Sequence, residues 1–336
     1  MRQLVYIKPG AVEWQEAPAP QIAAPTDAIV RPVAVAACDL DVALLRGLAP
    51  FPGPFALGHE FVADVVELGD AVSGFAPGQR VVVSFQITCG ACARCRRGLT
   101  GSCSAVPAGS MYGLKPVGGD WGGALADLVR VPFAAHMIMP APAGIAPATL
   151  ASASDNVADA WRAVAPPLRE CPGADVLIVG SASSIPLYAV AIARACGAGR
   201  VDFVATDERA CAVAGQLGAH ATPGPIPKRI GSYPITVDAS HDPAGLVCAL
   251  RSLEPEGVCT SVSIYFTDVA LPLLGMYTRG VRFVTGRVNS RAVLPHVLDL
   301  VATGRLHPEA VTSEVVTWDD APAALASPSI KPIFVR

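Results

Sequence analysis

Cys89, Cys92, Cys95 and Cys103 follow the spacing C-x2-C-x2-C-x7-C. Spacers this short let four thiolates from a single loop close around one ion. Four soft thiolates leave no coordination position open, so the pattern reads as a structural zinc site. Arg94, Arg96 and Arg97 lie inside the loop, where they would offset thiolate charge. The competing reading is a set of core or disulfide-forming cysteines. A second group is dispersed along the chain: Cys38, then Gly58-His59-Glu60, then Ser154-Asp155-Asn156 at the head of the helical stretch Val157–Val164. A thiolate, an imidazole and a carboxylate suit zinc, and three protein ligands leave a fourth position for water or substrate. Taken singly, such a histidine serves as readily in a structural hydrogen bond. An aspartate before a helix serves as readily as an N-cap.

The elements that must position these residues change character along the chain. At 336 residues the chain is too long for one ordinary core, so two domains are expected. An apolar content of 52% excludes disorder. A net charge of −3 and a pI near 6.1 give no sign of a nucleic-acid partner. The longest uncharged stretch, Val176–Ala193, is broken by Gly180, serines and Pro186. It reads as buried strand, turn and helix, not as a membrane span. The start of the chain has no signal-peptide core, so a cytoplasmic setting with free thiols is expected. Cys171, Cys196, Cys211, Cys248 and Cys259 read as small core residues.

In the first half, Ala28–Val35, Phe61–Leu68, Arg80–Phe85 and Leu128–Val131 read as short antiparallel strands between Gly/Pro turns. From Val176 the pattern becomes strand–helix alternation. Strands are expected at Val176–Val179, Val201–Val204, Ile235–Asp238 and Val258–Val262. Helices are expected at Leu187–Cys196, up to Leu217, at Ala244–Leu253 and at Ser290–Thr303. Buried strands alternating with helices signal a doubly wound parallel sheet. Strand-like Ser313–Thr317 is expected to return to the first domain.

Along nearly its whole length the chain resembles the medium-chain, zinc-dependent alcohol dehydrogenase family. The resemblance rests on Cys38 with Asp41, Gly58-His59-Glu60, Gly69-x-x-Val72, Pro77-Gly78-x-Arg80-Val81, the four-cysteine loop, Gly122-Gly123-Ala124 and Val131-Pro132. It implies an α/β chain with a GroES-like β-rich catalytic domain over residues 1–150 and 289–336, with a zinc lobe at 89–103. A Rossmann-like cofactor domain would cover residues 151–288. It implies one structural zinc and one catalytic zinc, the latter held by Cys38, His59 and Asp155. Aspartate as third ligand looks most like the formaldehyde-dehydrogenase-like branch. Glu60 would lie near the metal, Asp41 would orient a ligand such as His59, and Phe85 would line the substrate pocket. The implied reaction is interconversion of a small alcohol and a carbonyl compound with NAD or NADP. The implied assembly is a homodimer or homotetramer, and the segment Tyr277–Val288 would supply the pairing edge.

Three departures fall on chemically important positions. The hydroxyl that usually starts a proton relay is replaced by Leu40, and the relay histidine by Ala43. The turn after Val179 reads Gly180-Ser181-Ala182-Ser183-Ser184-Ile185-Pro186 and keeps only the first glycine of G-x-G-x-x-G. Ser181, Ser183 and Ser184 would have to replace the lost phosphate contacts. The strand Val201–Val204 is followed by Ala205 instead of an acid. That leaves Thr206 and Arg209 as cofactor contacts; Arg209 suits a 2′-phosphate, but it reads as readily as an ordinary first-turn helix residue. These losses favour weak NAD binding. They keep open an alternative in which the fold and zinc serve non-redox chemistry of lyase, hydratase or cyclase type.

Overall fold

A computed structural model describes residues 1–327 and 329–336. The chain divides into two compact units. One comprises Met1–Ala158, Val288–Ala302 and Thr312–Arg336; the other comprises Asp159–Arg287 and Thr303–Val311.

The first unit contains the strands β1 (Arg2–Lys8), β2 (Ala11–Glu16), β3 (Ala28–Ala36), β4 (Phe55–Ala56), β5 (Glu60–Leu68), β6 (Arg80–Val83), β7 (Val129–Val131) and β8 (Ile138–Pro140). The second contributes β9 (Val176–Val179), β10 (Val201–Ala205), β11 (His220–Pro223), β12 (Tyr233–Asp238), β13 (Leu253–Ser261) and β14 (Arg282–Val284). The chain then returns to the first unit through β15 (Glu314–Thr317) and β16 (Pro332–Val335). The first unit holds a small sheet in the order β2-β1-β4 and a seven-stranded sheet in the order β15-β16-β3-β5-β6-β8, with β7 on β3. β3, β5, β6 and β8 pair antiparallel, as their turn-rich sequence requires. The β3–β5 ladder slips between Pro32 and Ala34, where proline has no N–H to give.

Register in this sheet decides what meets at its end. Ala36, the last residue of β3, pairs with Ile333 of β16 on one side and with Glu60 of β5 on the other. The segment entering β16, the residue leaving β3 and the first residue of β5 therefore converge two residues from Cys38.

The second unit is a six-stranded sheet in the order β11-β10-β9-β12-β13-β14, with every pair parallel. All four side chains of β9 are fully buried. Burial of that kind stabilises by about 1.5–3 kcal/mol per Val, Leu or Ile, which is why an unbroken apolar run was enough to mark the strand. Strand order reverses between β9 and β12, the place where open α/β sheets bind ligands.

Several boundaries differ from expectation. The helix after β9 starts at Ser184, so Pro186 is its third residue, still within the turn whose N–H groups need no helical partner. The helix expected to reach Leu253 ends at Arg251, and β13 runs from Leu253 to Ser261. That strand includes Glu256 at φ 62°, and the β12–β13 ladder shifts between Tyr233 and Ile235. Such an irregularity hides a strand from a simple apolar count. Cys171 is exposed rather than core and Cys196 is half-buried, while Cys211, Cys248 and Cys259 are buried. Cys171 falls just past the end of the helix Asn156–Glu170, outside the packed face.

Candidate active site

Cys38 caps the helix Asp39–Leu45: its Sγ accepts the Leu40 N–H at 3.4 Å, and its own N–H donates to Asp41 Oδ2 at 3.0 Å. His59 precedes β5 and Glu60 opens it, and both are buried. Asp155 stands immediately before the helix Asn156–Glu170, with Oδ2 turned to His59 Nε2 at 3.1 Å and to Cys38 Sγ at 3.3 Å. One donor atom from each of Cys38, His59, Glu60 and Asp155 lies within 4.8 Å of the other three. Ligands of a tetrahedral zinc at about 2.0–2.3 Å stand roughly 3.3–3.8 Å apart, so the thiol, imidazole and carboxylate spacing suits such an ion.

The electrostatics favour a cation here. Burial alone would lower the His59 imidazole, but Asp41, Asp155 and Glu60 outweigh it and raise the pKa to about 9. Burial pushes the Cys38 thiol well above its ordinary range, and Asp155, Glu60 and Asp41 add to the shift. Burial opposes ionisation of Asp155, yet the hydrogen bond and charge of His59 hold its carboxyl below the usual value. His59 Nδ1 and Asp41 Oδ1 are buried without hydrogen-bond partners and face each other at 3.9 Å. Asp41 thus sits behind His59, beyond hydrogen-bond reach, while it fixes the Cys38 backbone.

Two residues at this centre escaped the sequence reading. Lys331, fully buried, donates from Nζ to Glu60 Oε1 and to the Ala37 carbonyl, both at 2.7 Å. The β16–β3–β5 register places it there. Asn156 Oδ1 lies 3.2 Å from Cys38 Sγ, and the Asn156 N–H donates to Glu60 Oε2 at 3.2 Å. Glu60 is thereby held on the protein side of the cluster. Burial raises its carboxyl and Lys331 draws it back, with the balance at about 8. Phe85 is buried with its ring 5.5 Å from that of His59.

The four loop cysteines form a second cluster, with ligand atoms again within 4.8 Å of one another. Cys92 and Cys95 sulfurs are 3.4 Å apart, while Cys89–Cys95 and Cys92–Cys103 are 4.0 Å apart. Those edges fit a tetrathiolate zinc, and all ten cysteines are free of disulfides. Backbone N–H groups of Cys89, Ala91, Cys92, Cys95 and Ala105 point at the sulfurs. The Cys92 thiol is lowered to about 5, first by its hydrogen bond with Ser104 and then by the Cys95 N–H. Arg94 and Arg96 hydrogen-bond loop carbonyls of Ser102 and Ala91.

The alcohol dehydrogenase GroES-like domain family matches residues 24–143. The chain is 28% identical over 335 residues to "Probable zinc-binding alcohol dehydrogenase Rv1895" of Mycobacterium tuberculosis, covering 97% of this chain and 85% of that protein. Over 150 residues it is 36% identical to the glutathione-independent formaldehyde dehydrogenase of Pseudomonas aeruginosa, covering 42% of this chain and 37% of that one. Among solved structures, alcohol dehydrogenase TADH from Thermus sp. ATN1 superposes with a TM-score of 0.88 at 28% identity, covering 100% of this chain and 99% of that chain. Residues 24–143 thus carry the alcohol dehydrogenase GroES-like domain, and along its length the chain is similar to zinc-type alcohol dehydrogenases.

The first turn of the second unit departs from the G-x-G-x-x-G pattern. A Cβ on Gly180 would fall 2.6 Å from the Phe203 ring, so glycine is required for the turn to pack on β10. Ser181 Oγ donates to the Ala239 carbonyl and lies 2.9 Å from Ser183 Oγ. These two hydroxyls are engaged with the protein, and Ser184 is buried. Thr206 and Arg209 are exposed beyond β10, with Arg209 paired to Asp207 at 3.3 Å. Asp207 is itself committed as a helix N-cap to the Ala210 N–H at 2.9 Å.

Proposed function

We propose that this chain interconverts small alcohols and carbonyl compounds with NAD or NADP at a zinc centre held by Cys38, His59 and Asp155, with a structural zinc in the four-cysteine lobe. The convergence of thiol, imidazole and carboxylate within one buried, carboxylate-rich cluster carries this reading. The named zinc-type alcohol dehydrogenase relatives support redox chemistry over the lyase, hydratase or cyclase alternative. When bound, zinc supplies Lewis acidity to a substrate oxygen and the nicotinamide supplies the hydride carrier.

The chain's residues do the rest. Asp155, kept ionised, and His59 orient one another through their 3.1 Å contact. Lys331 and Asn156 tether Glu60, so this carboxylate does not fill the open position. Phe85 gives an apolar wall beside His59. Leu40 cannot carry a proton, so the alcohol proton leaves by another route than the usual side-chain hydroxyl. Aspartate as third ligand, together with the partial match to a formaldehyde dehydrogenase, supports a short primary alcohol or aldehyde as substrate class.

For assembly, β14 is an edge strand, and Leu273, Leu274 and Tyr277 on the helix that precedes it in the chain are 65%, 77% and 85% exposed. These features support pairing between copies of the chain. The five cysteines outside the two clusters form no disulfide, which fits a reducing, cytoplasmic setting. The test is nicotinamide reduction at 340 nm with a panel of short alcohols, comparing the zinc-loaded protein with His59→Ala. Reduction that persists in His59→Ala, or that no alcohol elicits in the parent, contradicts the proposal.

A further inference from the structure

Three consecutive residues at the start of the helix Ser290–Ala302 link regions that the sequence keeps far apart. Asn289 Oδ1 accepts the N–H of Gly101, inside the four-cysteine lobe, at 3.0 Å. The buried Ser290 hydroxyl donates in a short hydrogen bond to the carbonyl of Ser154, directly before Asp155. The Ser290 N–H donates to Gln86 Oε1 at 3.2 Å, and Gln86 follows Phe85. Arg291 Nε donates to the His136 carbonyl, and the His136 ring lies so close to Gly90 that a Cβ there would meet it at 2.6 Å. The lobe is seated with no slack: a Cβ on Gly101 would fall 2.9 Å from the Val288 carbonyl and 3.0 Å from Gln86.

The Ser154 carbonyl and the Asp155 N–H share one planar peptide unit. Fixing that carbonyl fixes the plane from which the Asp155 side chain departs. The lobe fixes Asn289, and Asn289 adjoins Ser290. We propose that Ser290 is a positioning residue that transmits the seating of the four-cysteine lobe to Asp155, and so sets metal affinity at the Cys38–His59–Asp155 centre. This rests on those three residues being metal ligands. It assigns the lobe a role in the reacting centre beyond its own stability.

Cobalt(II) is the probe. A one-thiolate centre and a four-thiolate lobe absorb with different charge-transfer intensities, so both sites can be followed in one spectrum of the cobalt-exchanged protein under chelator competition. Ser290→Ala is expected to weaken cobalt at the one-thiolate centre about tenfold, the low end for losing a partner outside the ligand shell, with the four-thiolate bands unchanged. Ser290→Thr, which keeps the hydroxyl, is expected to restore affinity. Gly101→Ala, whose Cβ would press first on the Val288 carbonyl and Gln86, is expected to weaken the same centre. Wild-type affinity in both Ser290→Ala and Gly101→Ala overturns the coupling. Parallel loss of both sets of bands also overturns it, because that signals general loosening. Absence of one-thiolate bands in the parent protein instead overturns the ligand assignment, and the coupling with it.

Discussion

Replacing Lys331 by Met should unfold the first unit more readily than any surface change. Both Lys331 and Glu60 are fully buried, and Nζ makes two hydrogen bonds of 2.7 Å, to Glu60 Oε1 and to the Ala37 carbonyl. Hydrogen bonds to charged groups are worth about 1.5–3 kcal/mol each. Removing one partner of a buried pair costs about 3–5 kcal/mol, since the other charge is stranded. The two routes agree on about 4 kcal/mol. Glu60 can relieve this by taking up a proton, and even beside Lys331 its carboxyl stands at about 8, so the loss should be small below pH 8 and grow above it by about 1.4 kcal/mol per pH unit. Denaturant unfolding followed by tryptophan fluorescence is a suitable assay, because Trp14, Trp121 and Trp318 all lie in this unit. The double variant Glu60→Gln, Lys331→Met should recover much of the loss, since no charge is left buried. A Lys331→Met protein within about 1 kcal/mol of the parent well above pH 8, where ordinary surface changes fall, would refute the reasoning, as would a double variant no better than the single there.

Three further outcomes follow from the same geometry. His59 is raised to about 9 in the metal-free protein, so its protonated form stabilises the fold below the ordinary pKa of 6.5, and that contribution fades as pH rises toward 9. Metal binding at pH 7.5 must therefore displace a proton from His59 and another from Cys38. Calorimetry in buffers of differing ionisation enthalpy should show about two protons released at that centre, and none released would contradict the ligand assignment. The double variant Cys92→Ser, Cys95→Ser should lose one zinc per chain by elemental analysis and keep the other; unchanged stoichiometry would sink the lobe assignment. Titration of NAD and NADP into the zinc-loaded protein should show weak NAD binding, with NADP equal or better. A missing carboxylate–ribose contact at Ala205 costs about tenfold to a hundredfold, and tight NAD-selective binding would show that other groups replace it.

Much of this arrangement was legible in the chain because its signals are local. The four cysteines lie on one loop, β9 is an unbroken apolar run, and β10 is interrupted only by Asp202. The edge strand β14 falls within Tyr277–Val288, the segment that the family resemblance marks as a sheet edge. What stayed hidden depends on register between distant strands. Lys331 reads as an ordinary polar residue before a strand, and only the pairing of Ala36 with both Ile333 and Glu60 turns it inward. Asn156 looked like the first turn of a helix, yet its amide side chain meets Cys38. The start of β13 at Leu253 was masked by Glu256 in a left-handed conformation. The serines of the first turn suggested phosphate donors, but Ser181 spends its hydroxyl on the Ala239 carbonyl, a partner 58 residues away that no local pattern announces.

Cys38, His59 and Asp155 are expected to hold a zinc ion distinct from the one in the cysteine lobe. Anomalous diffraction at the zinc edge from crystals of the purified protein tests it most directly. Two peaks per chain are expected, one amid Cys89, Cys92, Cys95 and Cys103 and one amid Cys38, His59 and Asp155. A single peak, confined to the lobe in protein grown with excess zinc, would contradict it.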